Sequence, residues 1–473
     1  MEKNIKDIII FLSILIISLI SIYYLPSAIT RLVFLVLFFL AWMSKRDYIW
    51  FAIVFVFFSN PAGLFPAGSF EQTYRLPLYN FAPGLSFNTT DIFVILLFIK
   101  AIIKGKRKPF FFDKIFIPFI LIFIISIVFT FYYSNDLDGF ANQMRKYFTY
   151  SALFSFTYLV NNTKEIFRFF IFMLIIIPVI FIDQILTYYD LSILFLLGKK
   201  EIFIEYMIEN TAEKRLIILG VLNVFWVYIF SIVYLYSKKN NIKLFLILIM
   251  ILCLISFLIS ATRFWIFTGF VLLLLSLLLG RSSLKNIFQI SLTCVIFYIV
   301  LSSINYNYSQ ITAAWTRFLP SISKVATGRM EQVHTVNTRI RAVKKIKIEL
   351  KENPIFGFGF SKLNKSNNDL GFWNTLIVFG FFGLILFFGF FFYIFYGLYS
   401  IWIKQNKGSP YFYPLRMLAV GFVGIFIGFL TTWDFFHTGP SRIFFISIYL
   451  AVINIYVQEA KNKLTKNYIL NKT

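Results

Sequence analysis

The sequence predicts an all-α protein: a polytopic membrane helical bundle of about fourteen spans, with twelve as the smaller count, carrying one large extracytoplasmic loop that contains helix. Three observations predict it. Apolar runs of about 16–22 residues recur along the chain, such as "IIIFLSILIISLISIYYL" (8–25) and "LFLILIMILCLISFLIS" (244–260), near the length that crosses about 30 Å of hydrocarbon as a helix. The runs do not alternate apolar with polar residues, as membrane barrel strands do, and where there is no water only a helix otherwise bonds all its own amides and carbonyls. Finally, 59% of residues are hydrophobic and only 14% charged, and the charges gather in stretches between the runs.

Taken in order, spans are expected at 8–25, 28–43, 48–59, 91–103, 115–132, 148–160, 166–188, 216–236, 244–260, 264–280, 286–303, 371–403, 417–433 and 442–457. The first follows "MEKNIKD". It is too long for a signal-peptide core and lacks a small-x-small cleavage site, so it reads as a retained span. The runs at 48–59, 91–103 and 148–160 are short and read as tilted or partly re-entrant. The run at 371–403 is long for one crossing, and a steep tilt or a projecting end absorbs the excess. Residues 1–473 form a single integral membrane domain, with 304–370 as the large loop inserted between spans. No internal repeat is visible, and no disordered tail apart from the basic C-terminus.

Orientation follows from the cations. "SKRD" (44–47), "KGKRK" (104–108), "NNTKE" (161–165), "SKKNNIK" (237–243), "GRSSLK" (280–285) and "KQNKG" (404–408) fall on one side together with both termini. Short basic loops mark the cytoplasmic side. The opposite side holds 60–90, 133–147, 189–215, 304–370 and 434–441. A formal net charge of +24 would suit nucleic acid, but cations confined to short loops between apolar runs argue for a bilayer as partner and against nucleic acid. On this map the cytoplasmic side carries 5 Arg and 19 Lys and the outer side 10 Arg and 11 Lys. Arginine is the planar, bidentate partner of phosphate, so the outer enrichment points to anion binding there, against the plainer reading that long outer loops tolerate charge. The two cysteines, Cys253 and Cys294, both lie inside expected spans and offer neither a metal site nor a disulfide framework.

The loop 304–370 holds eleven Lys and Arg against four acids. Within it, 335–352 reads as a helix: Thr335, Asn337 or Thr338 can cap its start, and Pro354, Gly357 and Gly359 end it. Val336, Ile340, Val343 and Leu350 make a broken apolar stripe, while Arg341, Lys344 and Lys345 share another face. Such a helix can lie on a membrane surface, cover a pocket that receives an anionic headgroup, or simply present a solvated face. Gly357 and Gly359 allow tight turns, and Gly380 and Gly383 in the following span permit close helix approach.

The order "SATR" (260–263), two spans, a long basic loop with Arg-x-Arg (339–341) and "NPIFGFG" (353–359), then a span with "FGFFGLI" (379–385) resembles the O-antigen polymerase and O-antigen ligase superfamily of bacterial envelope proteins. The resemblance covers about residues 255–400 together with the span layout. It implies a glycosyltransferase of the bacterial inner membrane that works without metal or other cofactor on undecaprenyl-pyrophosphate-linked oligosaccharide at the periplasmic face, with a chain-length regulator protein as a further partner to consider. Arg263 matches the family's arginine near the outer end of a span, and Arg339 or Arg341 the loop arginine. Ligases of the family carry a His-Asn pair before the glycine-bearing span; here "DLGFWN" (369–374) has none, and Asp369 favours a polymerase over a ligase.

The implied reaction is attack of a sugar hydroxyl on an anomeric carbon whose leaving group is a lipid pyrophosphate. It needs a base for the hydroxyl proton and positive charge for the departing pyrophosphate. The clamp candidates are Arg263, Arg339 and Arg341, with Arg145, Arg215 and Arg442 in reserve; Arg263 reads equally as a snorkelling topology residue. The base candidates are Asp369, His437 and His334. His437 stands in "TWDFFHTGPSR" (432–442) with Asp434 and Arg442, and His334 begins the basic helix; a neutral imidazole is a suitable base near pH 7, although a lone histidine is more often structural. "NDLDG" (135–139) holds an Asp-x-Asp pair, which in other glycosyltransferases holds a divalent metal with a sugar diphosphate but reads first as turn residues. Glu201, Glu205, Glu209 and Glu213 repeat at four-residue steps and read as the solvated stripe of an interfacial helix. Asp183 is either a pocket residue or a hydrogen-bonded buried acid. A flippase of lipid-linked sugars is the alternative from another class; the absence of repeated halves speaks against it.

Overall fold

A computed structural model describes residues 2–58, 76–82, 85–105, 113–133, 148–188, 206–207, 214–215, 221–236, 242–259, 263–280, 334–359, 371–431 and 440–470. These residues form fourteen helices and two small two-stranded sheets. The helices are α1 (Glu2–Tyr24), α2 (Ser27–Met43), α3 (Asp47–Phe58), α4 (Thr89–Lys104), α5 (Asp113–Tyr133), α6 (Ser151–Leu159), α7 (Thr163–Tyr188), α8 (Val221–Leu235), α9 (Lys243–Ile259), α10 (Arg263–Leu279), α11 (His334–Leu350), α12 (Gly371–Ile403), α13 (Phe412–Thr431) and α14 (Pro440–Leu470). Thirteen of them meet expected spans, and α11 is the expected loop helix; the span placed at 286–303 lies outside the described residues. Among the described residues five helices, α1, α7, α12, α13 and α14, are long and apolar enough to cross a membrane. The C-terminus, read from sequence as a basic tail, is helical through Leu470.

The strands were not foreseen. β1 (Leu78–Ala82) and β2 (Leu85–Asn88) pair antiparallel on either side of Pro83-Gly84, with Tyr79 opposite Phe87. The signal was present: a Pro-Gly dipeptide between two apolar, aromatic runs marks a turn. The second pair, β3 (Tyr206–Met207) with β4 (Lys214–Arg215), corrects the reading of an interfacial helix at Tyr206–Met207; the glutamates 201, 205, 209 and 213 lie outside the described residues. The four-residue glutamate repeat is compatible with helical spacing, but the ladder takes Tyr206 and Met207 into extended backbone, where an aromatic side chain is at home.

The core explains why some helices are short. Residues 48–57 of α3 and 223–235 of α8 are buried on every side, so these helices are encased by others and need no lipid-facing stripe. Phe55 lies within about 6 Å ring to ring of Phe169, Trp226 and Phe444, joining α3, α7, α8 and α14. By contrast α1 and α2 expose Ile9, Ile16, Ile20, Leu32, Leu35 and Phe39, the outward face expected where the surrounding solvent is itself apolar.

Polar contacts tie helix ends together at one end of the bundle. The buried Asp7 carboxylate accepts from the Tyr48 hydroxyl (2.6 Å) and is ion-paired with Arg46 Nε (3.1 Å) and Arg168 (3.9 Å). Lys100 is buried and donates from Nζ to Ala41 O (2.8 Å), Ser44 O (2.6 Å) and the Asp47 carboxylate, so one ammonium satisfies a carbonyl in the last turn of α2, the carbonyl of its C-cap residue and the acid that opens α3. Glu459 of α14 caps α7 by accepting from Thr163 N (3.0 Å) and Oγ1 (2.9 Å), and it also accepts from the Tyr411 hydroxyl (3.0 Å). Burial, with Glu459 adding to it, pushes the Tyr411 phenol up to about 12, which keeps it a donor at any physiological pH. Gln405 reaches Ala460 O at 3.3 Å, and Lys104 reaches Trp42 O at 3.3 Å. The starts or ends of "SKRD", "KGKRK", "NNTKE" and "KQNKG" thus share one end, as the charge map expects.

Candidate functional site

The opposite end holds the irregular part of the fold. α12 is two helices in line, divided at Gly380, whose φ of 64° and ψ of −166° lie outside the helical region. This backbone region is essentially reserved for glycine. At the break two helical hydrogen bonds are opened, and their four groups are bonded again by the segment 354–359, here called the wedge. Ile377 O accepts from Phe358 N (2.8 Å) and Val378 O from Gly359 N (3.0 Å); Phe381 N donates to Pro354 O (2.9 Å) and Phe382 N to Ile355 O (3.0 Å). A buried helix end without such partners would leave amides and carbonyls bare.

The sequence builds the wedge locally. α11 ends at Leu350, and Pro354 denies the chain a further helical amide. Asn353 laces the turn: its side-chain amide donates to Gly357 O (2.6 Å), and its carbonyl accepts from Gly357 N (3.1 Å). Gly357 and Gly359 both have positive φ, 69° and 62°. A Cβ on Gly357 would stand 2.4 Å from Ile377 O, one on Gly359 2.4 Å from Ser126 O of α5, and one on Gly380 2.2 Å from Ile355 O. The phenylalanines between the glycines supply the packing: Phe356 stacks on Phe129 and Phe358 meets Tyr133 edge-on, both on α5. The wedge is therefore clamped between α5 and α12.

The break also settles the length of α12. The 23 residues from Phe381 to Ile403 rise about 34 Å at about 1.5 Å each, enough for one crossing of about 30 Å. Neither a steep tilt nor a continuous overlong helix is needed; residues 371–379 are a separate segment beyond the break.

α11 rests on that segment. Ile346 and Leu350 are buried, Val343 and Ile340 half-buried, and Lys347 lies over the Trp373 ring at 5.6 Å. Of the apolar stripe expected from sequence, Ile340, Val343 and Leu350 face inward, with Ile346 among them. Arg341, Lys344 and Lys345 are exposed together, Lys345 with Glu349 at 3.9 Å. Successive helix positions turn by about 100°, so Arg339 and Arg341 are about 200° apart around α11. In register Arg339 is seven positions before Ile346, whereas Arg341 belongs to the exposed face.

The other expected site residues are placed as follows. Arg263 is the first residue of α10, and Arg442 is in the first turn of α14 and half-buried. α14 passes Glu459 and Ala460 at the tied end, and Gly280, which follows α10, meets Tyr236, which stacks on Tyr413 beside that end, so these two arginines begin their helices at the wedge end with Arg341. Arg215 is in β4 opposite Tyr206, and His334 is the first residue of α11. Asp183 is in α7. Cys253 is buried in the core. Arg145, Asp369, His437, the Asp-x-Asp of 135–139, and Cys294 lie outside the described residues. What sequence reasoning missed is that Gly380 is a break; the signal was its place three residues before Gly383, after a segment already marked by glycines. Compared with protein-family models and with curated proteins, the chain matches none.

Proposed function

We propose that this chain is a membrane glycosyltransferase of the O-antigen polymerase kind, joining undecaprenyl-pyrophosphate-linked oligosaccharide units at the periplasmic face of a bacterial inner membrane. One observation carries the reading. "NPIFGFG" and "FGFFGLI", two of the stretches in the ordered set on which the resemblance rests, are separated in sequence, yet they form one unit with four shared backbone hydrogen bonds. Arg263 and Arg442 stand at the same end of the bundle as that unit. In this reading guanidiniums at the outer mouth stabilise charge on the departing pyrophosphate, and Asp369, His437 or His334 takes the hydroxyl proton.

The experiment is loss of the gene followed by complementation. A polymerase loss leaves single repeat units on the lipid core; a ligase loss leaves unattached polymer; a flippase loss leaves units trapped inside. Complementation with Arg263→Ala is expected to give no polymer at an unchanged protein level, and wild-type chain lengths would remove Arg263 from the site. The flippase reading keeps one specific observation in its favour, since transporters place broken helices at their binding sites. Against it, the amides and carbonyls freed at Gly380 are bonded by the wedge rather than turned to a ligand.

A further inference from the structure

The exposed side of α11 mixes cations with bare apolar surface. Arg341, Lys344 and Lys345 are exposed, and Ile348, itself 68% exposed, follows them by seven, four and three positions, which places all four on one helix face. Ile355, the first apolar residue after α11, is 58% exposed. These isoleucines are not remnants of the core, because the bundle-facing side of α11 is already filled by Ile346 and Leu350. Ile355 is joined to the outward surface of α12: its carbonyl accepts from Phe382 N, and Phe381, Phe382 and Ile385 are exposed there. Since Phe381–Ile403 alone accounts for one bilayer crossing, Phe381 and Ile355 stand at the level where hydrocarbon meets headgroups. A water-facing helix gains nothing from two bare isoleucines among lysines. A helix lying in the interface gains both the apolar contact and the attraction to anionic lipid.

We propose that this face of α11 is a docking surface for anionic phospholipid headgroups, with Arg341, Lys344 and Lys345 taking the phosphates and Ile348 and Ile355 entering the edge of the acyl region. The proposal rests on the chain spanning a bilayer and not on glycosyl transfer. It assigns Arg341 to the headgroup plane.

The test uses the full-length protein in vesicles of phosphatidylcholine alone or with phosphatidylglycerol, without any lipid-linked sugar. Ile348→Cys, in a Cys294→Ser background with the buried Cys253 kept, carries an environment-sensitive fluorophore. The expected result is a blue-shifted emission in phosphatidylglycerol vesicles that retreats in high salt and is lost when Arg341, Lys344 and Lys345 are all changed to Gln. Equal emission in the two vesicle types overturns the proposal, as does a shift that survives the triple change. Gel filtration and a melting curve on each variant show that the labelled proteins are folded. Because no sugar donor is present, failure of polymerase activity in the same preparation has no bearing on this readout.

Discussion

At the scale of single residues, Gly380 and Gly389 make a controlled pair. They stand on the same helix, but a Cβ on Gly380 meets Ile355 O at 2.2 Å under a positive φ, whereas one on Gly389 meets nothing within 4 Å. Gly380→Ala is expected to cost more than the ~1–3 kcal/mol of backbone strain alone, since the wedge must also retreat. Gly389→Ala is expected to be neutral or to stabilise by up to about 1 kcal/mol. Melting curves in detergent decide, and equal effects would mean that Gly380 is an ordinary helical glycine. Lys100 is the second case. Its ammonium is enclosed by Ala41 O, Ser44 O and Asp47; removing one member of a buried pair strands the other at about 3–5 kcal/mol. Lys100→Met should destabilise on that scale, and adding Asp47→Leu should recover only part, because two carbonyls remain unpaired. Full recovery would show that the carbonyl contacts contribute nothing.

At the scale of elements, α11, the wedge and α12 act as one piece. A helix interrupted by a glycine of this conformation would ordinarily expose amides to exchange on either side. Here Phe358 and Gly359 donate to α12, and Phe381 and Phe382 donate to the wedge. Hydrogen–deuterium exchange is therefore expected to find peptides covering 356–360 and 380–383 as slow as the helix that follows. In Gly380→Ala both peptides should accelerate together, because Phe358 and Gly359 donate to Ile377 and Val378 of α12 while Phe381 and Phe382 donate to Pro354 and Ile355 of the wedge; acceleration of only one would contradict the reciprocal pairing. The same coupling gives α11 a rigid anchor at its C-terminal end, which is what a helix must have if its exposed face is to hold a set depth relative to α12.

At the scale of the whole molecule, the tied end and the wedge end are predicted to face opposite sides of the membrane. Cysteines introduced at Ser44 and Lys407 should resist a membrane-impermeant maleimide in intact cells once the outer barrier is opened, and one at Lys345 should react; reaction of all three would abolish the two-sided arrangement. Much of this plan was legible in the sequence. Long apolar runs announce helices because no other backbone arrangement survives in hydrocarbon, and the basic loops sort to one end because charge is costly to carry across. The end of α11 was legible because proline and glycine act on their own backbone. Three things were not legible: the strand pairing of Tyr206–Met207 with Lys214–Arg215, the burial of Lys100 against α2 and α3, and the break at Gly380. Each depends on a partner outside its own stretch of chain, seven to nine residues on for the strands and tens of residues away for Lys100 and Gly380. Sequence alone determined that the chain would be helices with a basic, glycine-marked loop, since periodicity, length and backbone stereochemistry are local properties. Only the tertiary structure decided that the loop's glycines and those of α12 belong to one joint, because a hydrogen bond opened in a helix can be replaced only by another stretch of backbone brought to it.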